Sequence, residues 1–249
     1  MTSDEQEKDL VRDYLGSKAG AFIEVGANHP RHGSQTWHLA ERGWRGIVIE
    51  PQSKFFVLLE KERPESFVVR AACTSADRIG TITLHIPSED GFATVEPNKD
   101  DFYVHYDASE SVDAKTLDMI IAEWRAATQE TTAIRFVAID VEGHELDVLQ
   151  GFSLAVHHPD LILIEDKLQD LSKHRYLTAA GYRLVRRTCL NNWYIPRDAT
   201  PPRRSLGERA RLLRKVFLGL PFRALRRWRH RKGRAEDGPA NGSQPSRAE

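Results

Sequence analysis

The chain has 249 residues, enough for one generous domain with a sizeable core, and its 36 Lys and Arg balance 36 Asp and Glu. The neutrality is uneven: residues 201–234 carry thirteen Lys and Arg against a single acid, Glu208, so a net-acidic body of about 200 residues precedes a basic tail. Its two cysteines, Cys73 and Cys189, lie far apart without metal-ligand spacing, which points to a reduced, cytoplasmic protein, and no apolar run is long enough to cross a bilayer.

In chain order, the acidic, polar opening reads as a leading helix within residues 1–19 and excludes a signal peptide. Phe22, Ile23 and Val25 predict a strand buried on both faces, and Gly26 lets the chain turn sharply under a ligand. A helix is expected over residues 34–42, stopped by Gly43, before a second apolar strand that closes on Glu50 and Pro51. In parallel sheets ligands sit beyond the carboxyl ends of the strands, and an acid closing the second strand suits ribose hydroxyls. Gly26-Ala27-Asn28-His29-Pro30 lacks the G-x-G-x-x-G of a pyrophosphate site. A cofactor without phosphates fits better: S-adenosylmethionine, with Glu24, Gly26, Asn28, Glu50 and Pro51 as its expected contacts.

A helix over residues 53–63 and a third strand over 66–72 follow, placing Cys73 and Thr74 near the adenine or simply in the packing of a buried strand end. Residues 81–86 alternate like an antiparallel strand. Residues 87–111 lose periodicity and read as a lid over the acceptor, or as an insertion without a role. A helix over 117–127 leads to a buried strand, 133–139, that closes on Asp140. Asp140, Glu142 and His144, within one turn at that strand end, are the expected catalytic residues, although Glu142 and Glu145 also suit a helix start. Residues 161–164 form a further strand ending in Glu165-Asp166. Two mechanisms stay open: a carboxylate or His144 takes the proton of an acceptor hydroxyl, or Asp140, Glu165, Asp166 and Asn191 (or Asn192) hold a divalent cation such as Mg2+. A helix over 172–180 and a hairpin turning around Asn191-Asn192 finish the sheet with an antiparallel strand, and Trp193 and Tyr194 line the acceptor site or cover the sheet edge.

These motifs together resemble the FkbM-type S-adenosylmethionine-dependent methyltransferases. The resemblance rests on Glu24-Val25-Gly26-Ala27-Asn28, Glu50-Pro51, Thr116-Leu117-Asp118, the run from Ile139 to Glu145, Leu149-Gln150-Gly151 and residues 159–165, and it covers about residues 21–196. Ala138 stands where many members carry lysine, and His29-Pro30-Arg31-His32-Gly33 is longer and more basic than the usual glycine-rich form. The resemblance implies a Rossmann-like class I α/β fold, with a mostly parallel sheet and helices on both faces, that methylates a hydroxyl of a sugar, glycolipid or other secondary-metabolite acceptor. The expected organisation is a leading helix (1–19), a methyltransferase domain (20–199), a basic amphipathic helical tail (200–232) and a disordered end (233–249). Leu206, Ala210, Leu213 and Phe217 among arginines suit an anionic membrane, a partner subunit or the body itself. Peripheral contact with the inner face of a membrane follows from the first of these. A non-catalytic membrane adaptor and an RNA methyltransferase are the competing functions, and the acidic body disfavours nucleic acid.

Overall fold

Strand β1 (Ala21–Val25) is buried at every position, and its side chains divide by parity. The protein is seen here as a computed structural model that describes residues 3–87, 94–95 and 106–219. Ile23 and Val25 point into one apolar cluster and Phe22 into another, because successive residues of a strand face opposite sides of the sheet. The same division recurs in β2 (Arg45–Ile49), β7 (Ile134–Ile139) and β8 (Leu161–Glu165), where Ile47, Val137 and Ile162 join the first cluster and Val48, Phe136 and Leu163 the second. A sheet apolar on both faces needs two helical layers. Helices α1 (Ser3–Leu15), α2 (Trp37–Ala40) and α3 (Ser53–Glu62) send Val11, Leu39 and Leu59 to one face; α4 (Leu117–Thr128), α5 (Glu145–Gln150), α6 (Leu154–His157) and α7 (Ser172–Ala179) cover the other.

With β3 (Phe67–Val69), β9 (Tyr182–Thr188) and β10 (Asn191–Pro196), the main sheet has seven strands in the order β3-β2-β1-β7-β8-β10-β9. The five strands from β3 to β8 are parallel, and β10 runs antiparallel to both its neighbours. This is the expected class I arrangement with its antiparallel last strand. The hairpin is tighter than expected: Cys189, at φ 48°, makes the turn, while Asn191 and Asn192 already pair within β10. The strand order reverses between β1 and β7, which opens a crevice at their carboxyl ends.

Two other expectations change. The helix expected over 34–42 shrinks to the single turn α2, because Glu24 ties the Ser34 and Thr36 hydroxyls and the Gln35 N–H before the helix begins. A second sheet, order β4-β6-β5, joins β4 (Ala72–Cys73), β5 (Gly80–Pro87) and β6 (Tyr106–Lys115), so residues 106–111 of the expected lid are strand paired antiparallel with β5. Their polar composition hid this. Thr94 returns to bridge His85, and residues 88–93 and 96–105 of that lid lie outside the described residues.

Leu168–Asp170 and the described residues from Arg204 onward form a second unit. Within it α8 (Leu206–Leu213) starts in a capping box: Ser205 Oγ accepts from the Glu208 N–H at 3.1 Å and Glu208 Oε2 accepts from the Ser205 N–H at 2.7 Å. A π-helical turn, Arg214–Leu218, follows. Leu206, Leu213 and Leu218 are 80%, 57% and 66% exposed among arginines, and the rest of the expected tail from residue 220 lies outside the described residues.

Candidate active site

The crevice holds a cavity of about 370 Å³. Of the residues expected from sequence, Glu24, Gly26, Asn28, Glu50, Pro51, Cys73, Asp140, Glu142, His144 and Asn191 line it, whereas Glu165 and Asp166 do not. Leu84 of β5, and Thr94 and Val95, which the bridge to His85 brings beside that strand, line it as well; no local pattern marks them.

Gly26 is the hinge of the site. Its φ is +79°, and a Cβ there would lie 1.8 Å from the Asp140 carbonyl oxygen, so only glycine lets the β1 turn pass the end of β7. The first three amides of the turn are engaged within the protein. The N–H groups of Gly26 and Ala27 both donate to the Ile49 carbonyl at 3.0 and 3.1 Å, and the Asn28 N–H donates to Glu50 Oε2 at 2.8 Å. A phosphate cradle needs such amides turned toward the ligand. This loop therefore does not suit a pyrophosphate, in keeping with its missing glycines.

Glu50 closes β2. Its Oε2 takes the Asn28 N–H and its Oε1 the Gln52 N–H, each at 2.8 Å, so it splices the β1 loop to the start of α3. Each oxygen keeps a second lone pair, which is what a ribose diol requires. Burial pushes this carboxyl up to about 7; the two backbone donors oppose the shift and Glu110 adds to it. Cys73 is buried and its thiol is pushed up to about 12, so it is a neutral wall residue without nucleophilic character.

Glu24 serves the loop. Its carboxylate accepts from Ser34 Oγ (2.9 Å), the Gln35 N–H (2.6 Å) and Thr36 Oγ1 (2.5 Å), with the Arg63 guanidinium 3.7 Å away. Its reach to a ligand is through the wall it builds. Arg63, fully buried, also donates to Glu65, the Pro30 carbonyl, Ser34, Thr36 and Ser66, and lies over Trp37.

At the end of β7, Glu142 and Gly143 take positive φ (53° and 114°), which folds the chain back before α5 and groups the acids. Ligand oxygens of Asp140, Glu142 and Glu165 all lie within 4.8 Å of one another. Asp140 is open to the cavity yet surrounded closely by protein; that desolvation first, and then the charges of Glu165, Glu142 and Glu145, hold its carboxyl well above the usual range. Lys167 Nζ donates to Glu142 Oε2 at 2.5 Å. Burial works against its ammonium, but the Glu142 bond and the neighbouring carboxylates outweigh this and raise its pKa. His144 Nδ1 lies 3.1 Å from Asp147 Oδ2; a carboxylate only accepts, so Nδ1 carries the proton and Nε2 of the neutral ring is the basic nitrogen.

The other expected metal ligands are drawn elsewhere. Asp166 pairs with Lys173 at 3.3 Å and accepts from Asn192 at 2.9 Å, and Asn191 Nδ2 donates to Glu7 of α1 at 2.7 Å. Glu142, expected only in a catalytic role, takes their place in the carboxylate group. Glu145, 1% exposed, accepts from the Gly143 N–H and from Lys173 and so fixes the loop.

Two of the quoted motifs brace the site from behind. Thr116 Oγ1 caps α4 by accepting from the Met119 N–H, while Asp118 accepts from Ser153 and lies 3.1 Å from His157 Nε2. The Asp118 N–H donates to the Gly151 carbonyl, and a Cβ on Gly151 would lie 2.1 Å from the Thr74 carbonyl oxygen. The Thr-Leu-Asp and Leu-Gln-Gly segments lock together there.

The model of the methyltransferase FkbM domain matches residues 24–184, well over half of the chain. The chain belongs to the FkbM methyltransferase family. Membership implies S-adenosylmethionine as the cofactor, in agreement with the acidic, phosphate-unfriendly lining. Among solved structures, an FkbM methyltransferase from Methylobacillus flagellatus KT is 16% identical over 71% of this chain and 43% of its own, with a TM-score of 0.46. Monomeric WbdD is 13% identical over 80% and 44%, with a TM-score of 0.44. The human METTL16 catalytic domain, in complex with MAT2A 3′UTR hairpin 6, is 13% identical over 80% and 73%, with a TM-score of 0.42. This chain spans less than half the length of the first two. A comparison with curated proteins finds no match.

Proposed function

We propose that this FkbM-family protein transfers the methyl group of S-adenosylmethionine to a hydroxyl of a sugar, glycolipid or other secondary-metabolite acceptor. The observation that carries the cofactor reading is the Gly26 turn, whose amides are spent on Ile49 and Glu50 while Glu50 faces the cavity. When bound, the cofactor supplies an electrophilic methyl on a cationic sulfonium, which an acidic wall tolerates. Glu50 accepts the ribose hydroxyls. In its ionised form Asp140 accepts the acceptor's proton: a carboxyl whose pKa is held up by burial and neighbouring acids is a stronger base than an ordinary one once it has lost its own proton, and positioned proton transfer contributes about 10²–10⁴-fold. His144 Nε2 is the alternative base at the same strand end.

Asp140→Asn should then bind cofactor normally but lose roughly 100-fold or more in turnover, read as transfer of labelled methyl to a panel of glycans and glycolipids. Undiminished turnover would remove Asp140 from the mechanism, and methylation confined to amines or RNA would overturn the acceptor class. A second reading of the same acids is a hard cation such as Mg2+, which Asp140, Glu142 and Glu165 would hold and which would lower the pKa of the hydroxyl. Oxygen-only ligands suit that ion; loss of turnover in EDTA with recovery on adding Mg2+ would favour this reading.

The second unit gives the proposed partner surface. Its exposed leucines among arginines suit peripheral adsorption to an anionic membrane on which a lipid-linked acceptor is presented. Removing residues 201–249 is expected to abolish sedimentation with phosphatidylserine-containing vesicles and leave cofactor affinity unchanged. Equal sedimentation with and without the tail would sink this reading.

A further inference from the structure

Glu7, on α1, is a buried carboxylate that the chemistry above does not use. Its four donors come from far along the chain. Oε1 accepts from Thr188 Oγ1 and, at 3.4 Å, from Trp193 Nε1; Oε2 accepts from Asn191 Nδ2 at 2.7 Å and Gln35 Nε2 at 3.4 Å. Asn191 and Gln35 both line the cavity, one from β10 and the other from the loop after β1. A carboxylate only accepts hydrogen bonds, so it turns the NH2 side of each amide toward itself and the carbonyl oxygens away. Gln35 shows the consequence, since its Oε1 is buried without a hydrogen-bond partner while Glu24 holds its backbone N–H.

Position decides what such acceptors meet. Glu50 ends β2 and Asn191 begins β10, four strands apart in the sheet order, or about 19 Å at roughly 4.8 Å per strand. Asn191, and Gln35 through its share in the same Glu7 oxygen, therefore stand at the end of the cavity remote from the ribose site. We propose that Glu7 is a positioning residue that sets Gln35 and Asn191 as hydrogen-bond acceptors for the ammonium group of the cofactor's amino-acid tail. The inference rests on the cofactor reading above.

The test compares S-adenosylhomocysteine, which has the tail, with 5′-methylthioadenosine, which lacks it, by calorimetric titration. Glu7→Gln places a third amide beside the two it orients and should weaken S-adenosylhomocysteine about 10-fold or more, the range expected for a charged group losing its partners, with methylthioadenosine changed less than about 2-fold. Gln35→Ala and Asn191→Ala, which leave α1 intact, should show the same selectivity, and adding Glu7→Gln to the Gln35→Ala/Asn191→Ala double variant should cost nothing more. Equal weakening of both ligands would mean that Glu7 merely holds the fold, and an unchanged S-adenosylhomocysteine affinity would refute the positioning role. Failure of the unaltered protein to bind either ligand would overturn the cofactor reading itself, and this inference with it. If Glu7→Gln does not fold, the Gln35 and Asn191 variants decide alone: tail selectivity in them supports the assignment and its absence rejects it.

Discussion

Gly26→Ala should cost the protein both stability and cofactor affinity. The new methyl carbon would meet the Asp140 carbonyl oxygen at 1.8 Å and its carbon at 2.9 Å, both backbone atoms that cannot swing aside. The φ of +79° adds its own penalty, about 1–2 kcal/mol for a residue with a Cβ in the left-handed region. Relief requires β1 and β7 to part where the Asp140 N–H donates to the Val25 carbonyl at 3.0 Å. That movement displaces Asp140 and, through the Gly26 and Ala27 bonds to Ile49, Glu50 as well. We expect a loss of about 2–5 kcal/mol in chemical denaturation, the overpacking of a core site together with that backbone penalty, and about 100-fold or more in affinity for S-adenosylhomocysteine. A variant with unaltered denaturation midpoint and affinity would show that the two strand ends do not depend on that close approach.

Arg63→Met should be the most destabilising change outside the cavity. The guanidinium is fully buried, 2.7 Å from Glu65 and 3.7 Å from Glu24, and its removal leaves the Glu24 carboxylate buried without its cation. Breaking a buried pair in this way costs about 3–5 kcal/mol, which for a chain of this size lowers the melting temperature by roughly 6–20 °C. Adding Glu24→Gln should restore part of the loss, because the stranded charge goes with it. Strictly additive losses in the thermal melts would contradict the pairing. The loop carrying His29 and Gln35 hangs on the same residues, so cofactor affinity should fall alongside stability.

The central strands were legible because strands buried on both faces are continuous apolar runs, and their closing residues, Gly26, Glu50 and Asp140, could be placed at one sheet edge by topology alone. Arg63 was not. It sits in Lys61-Glu62-Arg63-Pro64, which reads as a solvated helix end, and only the tertiary fold buries it over Trp37. Glu24 shows a subtler limit: sequence order marks an acid at the first turn, but whether it meets ligand or protein depends on Ser34, Thr36 and Arg63, which arrive from two other segments. Likewise Asp166, expected beside Asp140 in a metal site, is drawn away by Lys173 and Asn192, which arrive from other segments. Strand β6 was missed because its first half is polar, and Glu110 there spends its charge on Ser53 and Arg70.

The most direct measurement is a calorimetric titration of the protein with S-adenosylmethionine at pH 6 and pH 8, beside Glu50→Ala. With its carboxyl near 7 in the ligand-free fold against an ordinary value of 4.5, Glu50 is largely protonated at the lower pH and ionised at the higher. Because the folded-state value is raised, the associated stability is fully present below about 4.5 and is lost as pH rises through about 7. Ribose hydroxyls donating to the anion reverse part of that loss, so affinity should tighten from pH 6 to pH 8. Glu50→Ala should lose most of the affinity and the share of this pH dependence that Glu50 supplies, leaving that of Asp140. Tight binding that neither pH nor the substitution alters would contradict the placement of the ribose, and no binding at either pH would contradict the cofactor itself.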